Sequence, residues 1–181
     1  MPLSALALSR SLLRLSQALL LLLPPAATAQ PVPEYELKAA FVYNFALFTD
    51  WPADTAYDGG TLNICVNPSS ALRLPLAGLG DKPVKGRRVA VRAFSGVESL
   101  RLCHVLFIDG SDRERWGQIK KGLGGVSVLT VSDDDQIIHD GSVIGLTMEN
   151  NRIVFDVDTR AARQARLVLS SKLLRLARTV Q

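Results

Sequence analysis

The residues that could do chemistry are few and lie far apart along this chain. Its two histidines are His104, at the start of an apolar run, and His139, in a predicted loop. The sequence contains no Gly-x-Ser-x-Gly elbow for a hydrolase nucleophile and no glycine-rich phosphate loop. A lone histidine at a strand end is usually hydrogen-bonded for structural reasons. The pattern therefore predicts no catalytic residues and no enzyme activity.

Metal and cofactor chemistry also lacks a motif. Cys65 and Cys103 do not form a Cys-x-x-Cys pair, so neither a zinc site nor a thioredoxin-type motif is predicted. The run Asp133-Asp134-Asp135 lacks the spaced oxygen ligands and the late glutamate of a calcium loop. We interpret it as a solvated acidic loop, and we predict no metal ligands and no cofactor.

The first 29 residues are typical of a secretory signal peptide. Arg10 and Arg14 precede a short apolar core over residues 18–23, and Ala27-Thr28-Ala29 follows as a small-x-small cleavage site. The apolar run is too short to span a bilayer, which takes about 20 residues. An uncleaved membrane anchor is the alternative. Residues 30–181 are predicted to form a single exported domain in the periplasm.

The predicted mature domain is only mildly basic. Removing Arg10 and Arg14 lowers the net charge from +4 to +2, which gives little support for nucleic acid as a partner. Cys65 and Cys103 are an even pair in an exported chain, which favours a disulfide; two buried free thiols are the alternative.

Hydrophobic periodicity predicts a layered α/β domain. Apolar residues at helical spacing indicate a helix over 34–49, which Trp51-Pro52 ends. Apolar runs separated by helical stretches then predict βαβ units and a mainly parallel sheet. The predicted strands are 61–67, 88–94, 104–109 and 126–131, with helices over 69–79 and 111–123.

The chain changes character after residue 142. Residues 143–149 and 152–158 are predicted strands of an antiparallel hairpin, joined at Asn150-Asn151 because asparagine tolerates positive φ. A long helix over 159–179 is predicted to close the domain. After Asp158 this segment carries only positive charge, so it is either a solvated face or a basic surface for an acidic partner. The cations are Arg160, Arg163, Arg166, Lys172, Arg175 and Arg178.

A partner-binding region is predicted around Ile137, Ile138 and Glu149. In a short strand, the alternation of side chains would leave one of the two isoleucines facing outward within a polar rim. An exposed apolar side chain of this kind is typical of an interface anchor. Glu149 at the end of the hairpin would be solvated. The alternative is that both isoleucines are core residues.

Several segments together resemble the YfiR-like family. Residues 35–45 (YELKAAFVYNF), 103–108 (CHVLFI) and 129–133 (LTVSD) carry the resemblance, with 151–155 (NRIVF) and 170–177 (SSKLLRLA). The order and spacing of these segments cover almost the whole predicted mature chain. This chain departs from members with two disulfides in having no second cysteine pair near the hairpin.

The resemblance implies a periplasmic regulator. YfiR-like proteins repress an inner-membrane diguanylate cyclase by binding its periplasmic region, and an OmpA-like outer-membrane lipoprotein can sequester the repressor. Cyclic di-GMP output and biofilm formation then rise. Homodimers and redox sensitivity through a disulfide are also implied. A periplasmic small-ligand carrier or sensor, with a pocket at the strand ends of the parallel sheet, is the alternative function.

Overall fold

The computed structural model of the protein describes residues 33–80 and 82–181. The predicted signal peptide, residues 1–29, lies outside the described residues. The described chain is a layered α/β domain with a mainly parallel sheet and an antiparallel hairpin, as predicted.

The first helix begins where the sequence indicates. Helix α1 follows Pro33 and places Glu34 and Glu36 in its first turn, where negative charge complements the helix dipole. It ends at Leu47, and its buried face includes Val42 and Phe45. The helices are α1 Glu34–Leu47, α2 Arg73–Ala77, α3 Trp116–Gly122, α4 Asp135–His139, α5 Thr159–Gln164 and α6 Ser171–Leu176. Short 3₁₀ helices cover Asp58–Gly60, Val97–Leu102 and Gly110–Arg115.

A seven-stranded sheet forms the centre of the domain. The strands are β1 Thr49–Asp50, β2 Thr61–Val66, β3 Arg88–Ala93, β4 Val105–Ile108, β5 Leu129–Ser132, β6 Ile144–Glu149, β7 Arg152–Val157, β8 Val168–Leu169 and β9 Thr179–Val180. The strand order in the sheet is β3-β2-β4-β5-β6-β7-β9. The first five strands in this order are parallel to one another, β6 and β7 form the antiparallel hairpin, and β9 is parallel to β7.

The central strands are buried on both faces. In β4, Val105 and Phe107 point into the core beneath α1 and α2, while Leu106 and Ile108 point into a second core beneath α3 and α4. This arrangement explains why β4 is apolar at every position rather than alternating. The first core also takes in residues of α5 and α6.

The prediction of one long helix over 159–179 is wrong. Helix α5 stops after Gln164, and Arg166 takes a left-handed backbone conformation at φ +58°. The next residues form β8, which pairs antiparallel with β1. Ser170 then starts a new helix, because its hydroxyl oxygen accepts from the backbone N–H of Leu173. The helical spacing of leucines corresponds to a helix only within α6. In the segment before it, the backbone of β8 forms hydrogen bonds with β1 instead.

Candidate partner-binding site

The two cysteines are joined in a disulfide, which confirms the predicted pairing. Cys65 lies in β2, and Cys103 directly follows the 3₁₀ helix Val97–Leu102. Both residues are buried in the second core, where Phe94 and Leu100 are also buried. The bond therefore ties this 3₁₀ helix to β2 and is shielded from solvent.

His104 serves a structural role at the amino end of β4. Its ring is buried, and its Nδ1 accepts from the backbone N–H of Asn63 at 2.9 Å. Its Nε2 therefore carries the proton and donates to the carbonyl of Ala56 at 3.1 Å. Tyr57 stacks on the ring with 4.5 Å between centroids. Because both ring nitrogens bond the backbone, His104 holds the loop before β2 and has no lone pair free for acid–base chemistry.

We expect His104 to make the fold sensitive to acid. Burial lowers the pKa of His104 and the charge of Arg87 lowers it further, against the opposing hydrogen bond to Ala56. The unfolded chain therefore binds a proton near pH 6.5 while the folded chain still resists it. The contribution of neutral His104 to the free energy of unfolding is therefore fully present above about pH 6.5. It is lost as the pH falls toward the pKa of His104 in the folded protein, by at most about 1.4 kcal/mol per pH unit.

Urea unfolding at about pH 7 and about pH 5 measures this effect. The loss on acidification should be smaller for His104→Asn than for the wild-type protein. His139→Gln is the matched control, since His139 is exposed, and it should behave as wild type. Equal losses in wild type and His104→Asn would contradict the assignment.

The carboxyl ends of β2 and β4 carry a polar cluster whose members bond one another. In a parallel sheet, ligands commonly bind at the point where the strand order reverses, because the connections after the two adjacent strands there lead in opposite directions. In this sheet that point lies between β2 and β4. Asn67 donates to the buried carboxylate of Asp112 at 2.8 Å, and Asp112 also pairs with Arg115. Asp109 accepts from the backbone N–H of Ser111. Within the described residues, no group of His, Cys, Asp or Glu side chains is placed to hold a metal ion.

A buried ion pair anchors α1 to the end of β5. The ammonium of Lys38 lies 2.6 Å from Asp133 and 2.6 Å from Glu34. Burial by itself lowers the pKa of Lys38, but the hydrogen bonds and charges of the two carboxylates outweigh it and raise the pKa. Lys38 is therefore held charged. Asp133 had been interpreted as part of a solvated loop, and the structure instead pairs it with a helix residue 95 positions away.

Ile137 and Ile138 do not lie on a strand, which corrects the premise of the predicted site. Asp134 accepts from the backbone N–H groups of Gln136 and Ile137 and so starts helix α4. Ile137 has no exposed surface and belongs to the second core. Ile138 is half-buried against β6, where a Cβ added to Gly145 would come within 2.6 Å of its side chain. The helix directs Ile137 inward, so it has no surface with which to anchor a partner.

Glu149 is exposed, as expected, but it lies away from the two isoleucines. It ends β6, four residues beyond Gly145, or about 13 Å along the strand. Its carboxylate pairs with Arg178, which also pairs with Asp156 of β7. The ion pairs of Arg178 with Glu149 and Asp156 thus join the β6–β7 hairpin to the segment between α6 and β9. Sequence reasoning counted Arg178 among the cations of one continuous helix and therefore did not predict its pairing with Glu149 and Asp156.

The expected basic face of the last helix is divided in the structure. Arg166 pairs with Asp54 at 3.0 Å, and Arg178 pairs with the hairpin. Two large apolar side chains are instead exposed on either side of Arg178 in the chain. Leu176 is 70% exposed and Val180 is 45% exposed. We call Glu149, Asp156, Arg178 and the neighbouring exposed Leu176 the hairpin surface; Val180 pairs with Val157 and points to the opposite face of the sheet from Asp156. The hairpin surface combines exposed apolar area with charges, which is the composition of many protein interfaces.

Comparisons with known proteins identify the fold. A conserved domain protein from Vibrio cholerae O1 biovar El Tor shares 8% sequence identity at a TM-score of 0.53, over 84% of this chain. The ABC domain in complex with L-Trp from Streptococcus pneumonia shares 6% identity at a TM-score of 0.50, over 77% of this chain. This chain spans 62% of each of those proteins. At such low identity the likeness concerns the fold alone.

Family membership rests on the sequence itself. No curated protein matches this chain. Over the described residues, no helix has both the length and the apolar character needed to cross a membrane. The family model described as YfiR/HmsC-like matches residues 35–178. That span takes in α1, the whole sheet up to the hairpin, and the hairpin surface as far as Arg178. The chain therefore belongs to the YfiR/HmsC-like family.

Proposed function

We propose that this protein is a periplasmic regulator that binds the periplasmic region of an inner-membrane signalling protein, most simply a diguanylate cyclase, and represses it. Membership of the YfiR/HmsC-like family is the observation that carries the proposal. The buried disulfide supports an oxidising compartment such as the periplasm. An OmpA-like outer-membrane lipoprotein would relieve repression by sequestering the regulator, and a homodimer would be the binding form. The protein would work by binding and would have no catalytic turnover.

The hairpin surface is our choice for the contact with the membrane partner. Glu149 was predicted from the sequence, and the structure adds the paired Arg178 and the exposed side chain of Leu176. The exposed side chain of Leu176 would supply apolar area at the centre of an interface, and the charges would set its orientation. Ile137 would act only by holding the core, and Ile138 by supporting β6.

Complementation of a deletion strain tests the proposal. Deleting the gene should raise cyclic di-GMP, and the wild-type gene should return it to the parental level. Leu176→Asp combined with Arg178→Glu should fail to restore repression, because the variant loses apolar contact and reverses a charge at the proposed interface. Intracellular cyclic di-GMP measured by mass spectrometry gives the readout, with periplasmic abundance checked by immunoblot.

Glu114→Lys is the matched control, because Glu114 is exposed and belongs to none of the ion pairs of the described residues. This control should repress as wild type. If deletion leaves cyclic di-GMP unchanged, the regulatory function itself is wrong. If deletion raises it and the Leu176→Asp/Arg178→Glu variant still represses, the function stands and the contact surface lies elsewhere.

A further inference from the structure

The strand at the other end of the sheet has an open edge. Among the described residues, strand β3 pairs only with β2, so one side of its backbone faces away from the sheet. The backbone N–H of Phe94 donates to Val66 of β2, and successive residues direct their backbone groups to alternate sides. The N–H and carbonyl groups of Val91 and Ala93 therefore point outward. No hydrogen bond among the described residues reaches either of these two N–H groups.

Two arginines lie on this edge strand. Arg88 and Arg92 are both exposed and lie on one face of β3, since they are four positions apart in a strand. Arg92 donates to the side-chain oxygen of Asn63 in β2 at 3.0 Å, so its pairing with a carboxylate beyond the open edge exchanges this hydrogen bond for a charged one. In the part of the chain that the structure describes, neither arginine forms an ion pair with a carboxylate.

A cavity of about 540 Å³ lies beside the two arginines. Thr61, Gly80 and Pro83 contribute to its wall together with Arg88 and Arg92. The edge of β3 is thus flanked by space that could take side chains of an added strand. A positively charged, concave site of this kind suits an acidic occupant.

A second copy of this chain is the less suitable occupant. Two β3 strands paired about a two-fold axis would bring Arg88 of one protomer close to Arg92 of its partner, and like charges across a pair of strands are destabilising. Cations on an edge strand also discourage pairing between identical edges. Both arguments favour an acidic segment from a different protein as the occupant of this edge.

We infer that the open edge of β3 binds an extended, acidic segment of a partner protein by strand addition. The backbone of the segment pairs with Val91 and Ala93, and carboxylates four positions apart, about 13 Å along the strand, pair with Arg88 and Arg92. This contact is separate from the proposed hairpin surface, because β3 and β9 are at opposite ends of the strand order. It does not depend on the identity of the regulated membrane protein.

Binding of a designed peptide to the full mature protein tests the inference. The probe is a blocked, fluorescent six-residue peptide with the sequence Glu-Val-Thr-Val-Glu-Val, and the control peptide has lysine in place of both glutamates. Anisotropy should show saturable binding of the acidic peptide at low salt and none of the lysine peptide. Arg88→Glu combined with Arg92→Glu should weaken binding at least about tenfold. Lys121→Glu combined with Lys172→Glu, two exposed cations elsewhere, should leave it unchanged.

Two further measurements separate strand addition from general charge attraction. Peptide binding should slow hydrogen exchange at the amides of Val91 and Ala93 in the wild-type protein. Ala93→Pro removes one outward N–H while keeping both arginines, and proline is tolerated on an edge strand, so this variant should fold and bind at least about tenfold more weakly. The inference is overturned if the acidic peptide does not bind at millimolar concentration. It is also overturned if the arginine reversal has no effect, or if the amides of Val91 and Ala93 gain no protection.

Discussion

Replacing Cys65 and Cys103 together by alanine is expected to lower the free energy of unfolding by about 4 kcal/mol. The bond joins residues 38 positions apart. A closed loop of about 39 residues removes that much conformational entropy from the unfolded chain in the chain-entropy model. Both sulfurs lie in the second core, so the folded state needs no rearrangement to hold the bond.

Urea unfolding of oxidised wild type, reduced wild type and the double alanine variant separates the effect of the disulfide bond on stability from the effect of removing the two sulfur atoms. Reduction breaks the bond without emptying the core, so reduced wild type should lose most of the stability that the variant loses. The variant should be insensitive to reductant. Alkylation of periplasmic protein without reductant should modify neither cysteine. Two modified thiols, or equal unfolding midpoints for all three samples, would refute this prediction.

Lys38→Met is expected to cost about 3–5 kcal/mol, because it leaves the carboxylate of Asp133 buried without its cation. The side chains of Lys38 and Asp133 are only 9% and 14% exposed. Methionine keeps most of the volume of the lysine stem, so lost packing contributes little. Combining Lys38→Met with Asp133→Leu should recover much of the loss, since the second change removes the unpaired charge.

Lys120→Met is the matched control for this prediction. Lys120 pairs with Asp140 at 2.7 Å, a similar distance, but both side chains are about half exposed to solvent. Screening by water makes such surface pairs weak, so the control should lose much less stability. Thermal or urea unfolding of the wild-type protein and these three variants completes the comparison. A Lys38→Met protein as stable as Lys120→Met would show that burial of the pair has no energetic consequence.

Elements governed by local patterns were predicted well from the sequence. Helix α1 and strands β2 to β7 appear close to the expected bounds, since apolar spacing and flanking glycines or prolines determine them. Asn150 and Asn151 both take positive φ, at 48° and 61°, which is the conformation expected of a tight hairpin turn.

Elements governed by distant contacts were not predicted. The segment after Gln164 has helical spacing of leucines, but Val168 and Leu169 pair with a strand more than a hundred residues away. Asp133 and Asp134 were interpreted as solvated, whereas one pairs with Lys38 and the other starts α4. The interpretation of Ile137 failed for a local reason instead, because Asp134 caps a helix where the pattern had suggested a strand. The hairpin surface needed the structure, since Glu149 and Arg178 meet only through the fold.

The β1–β8 ribbon has a consequence for the order in which the domain is assembled. Thr49, next to the first helix, pairs with Leu169 near the far end of the domain. A chain that emerges amino end first can form its disulfide as soon as Cys103 is available, well before Leu169 appears. The covalent link therefore closes on an incomplete domain, and the ribbon follows as a late, long-range step whose loop is already shortened by the bond. A chain halted between these two points would expose the strand edge that β8 covers and would be the species most in need of a chaperone.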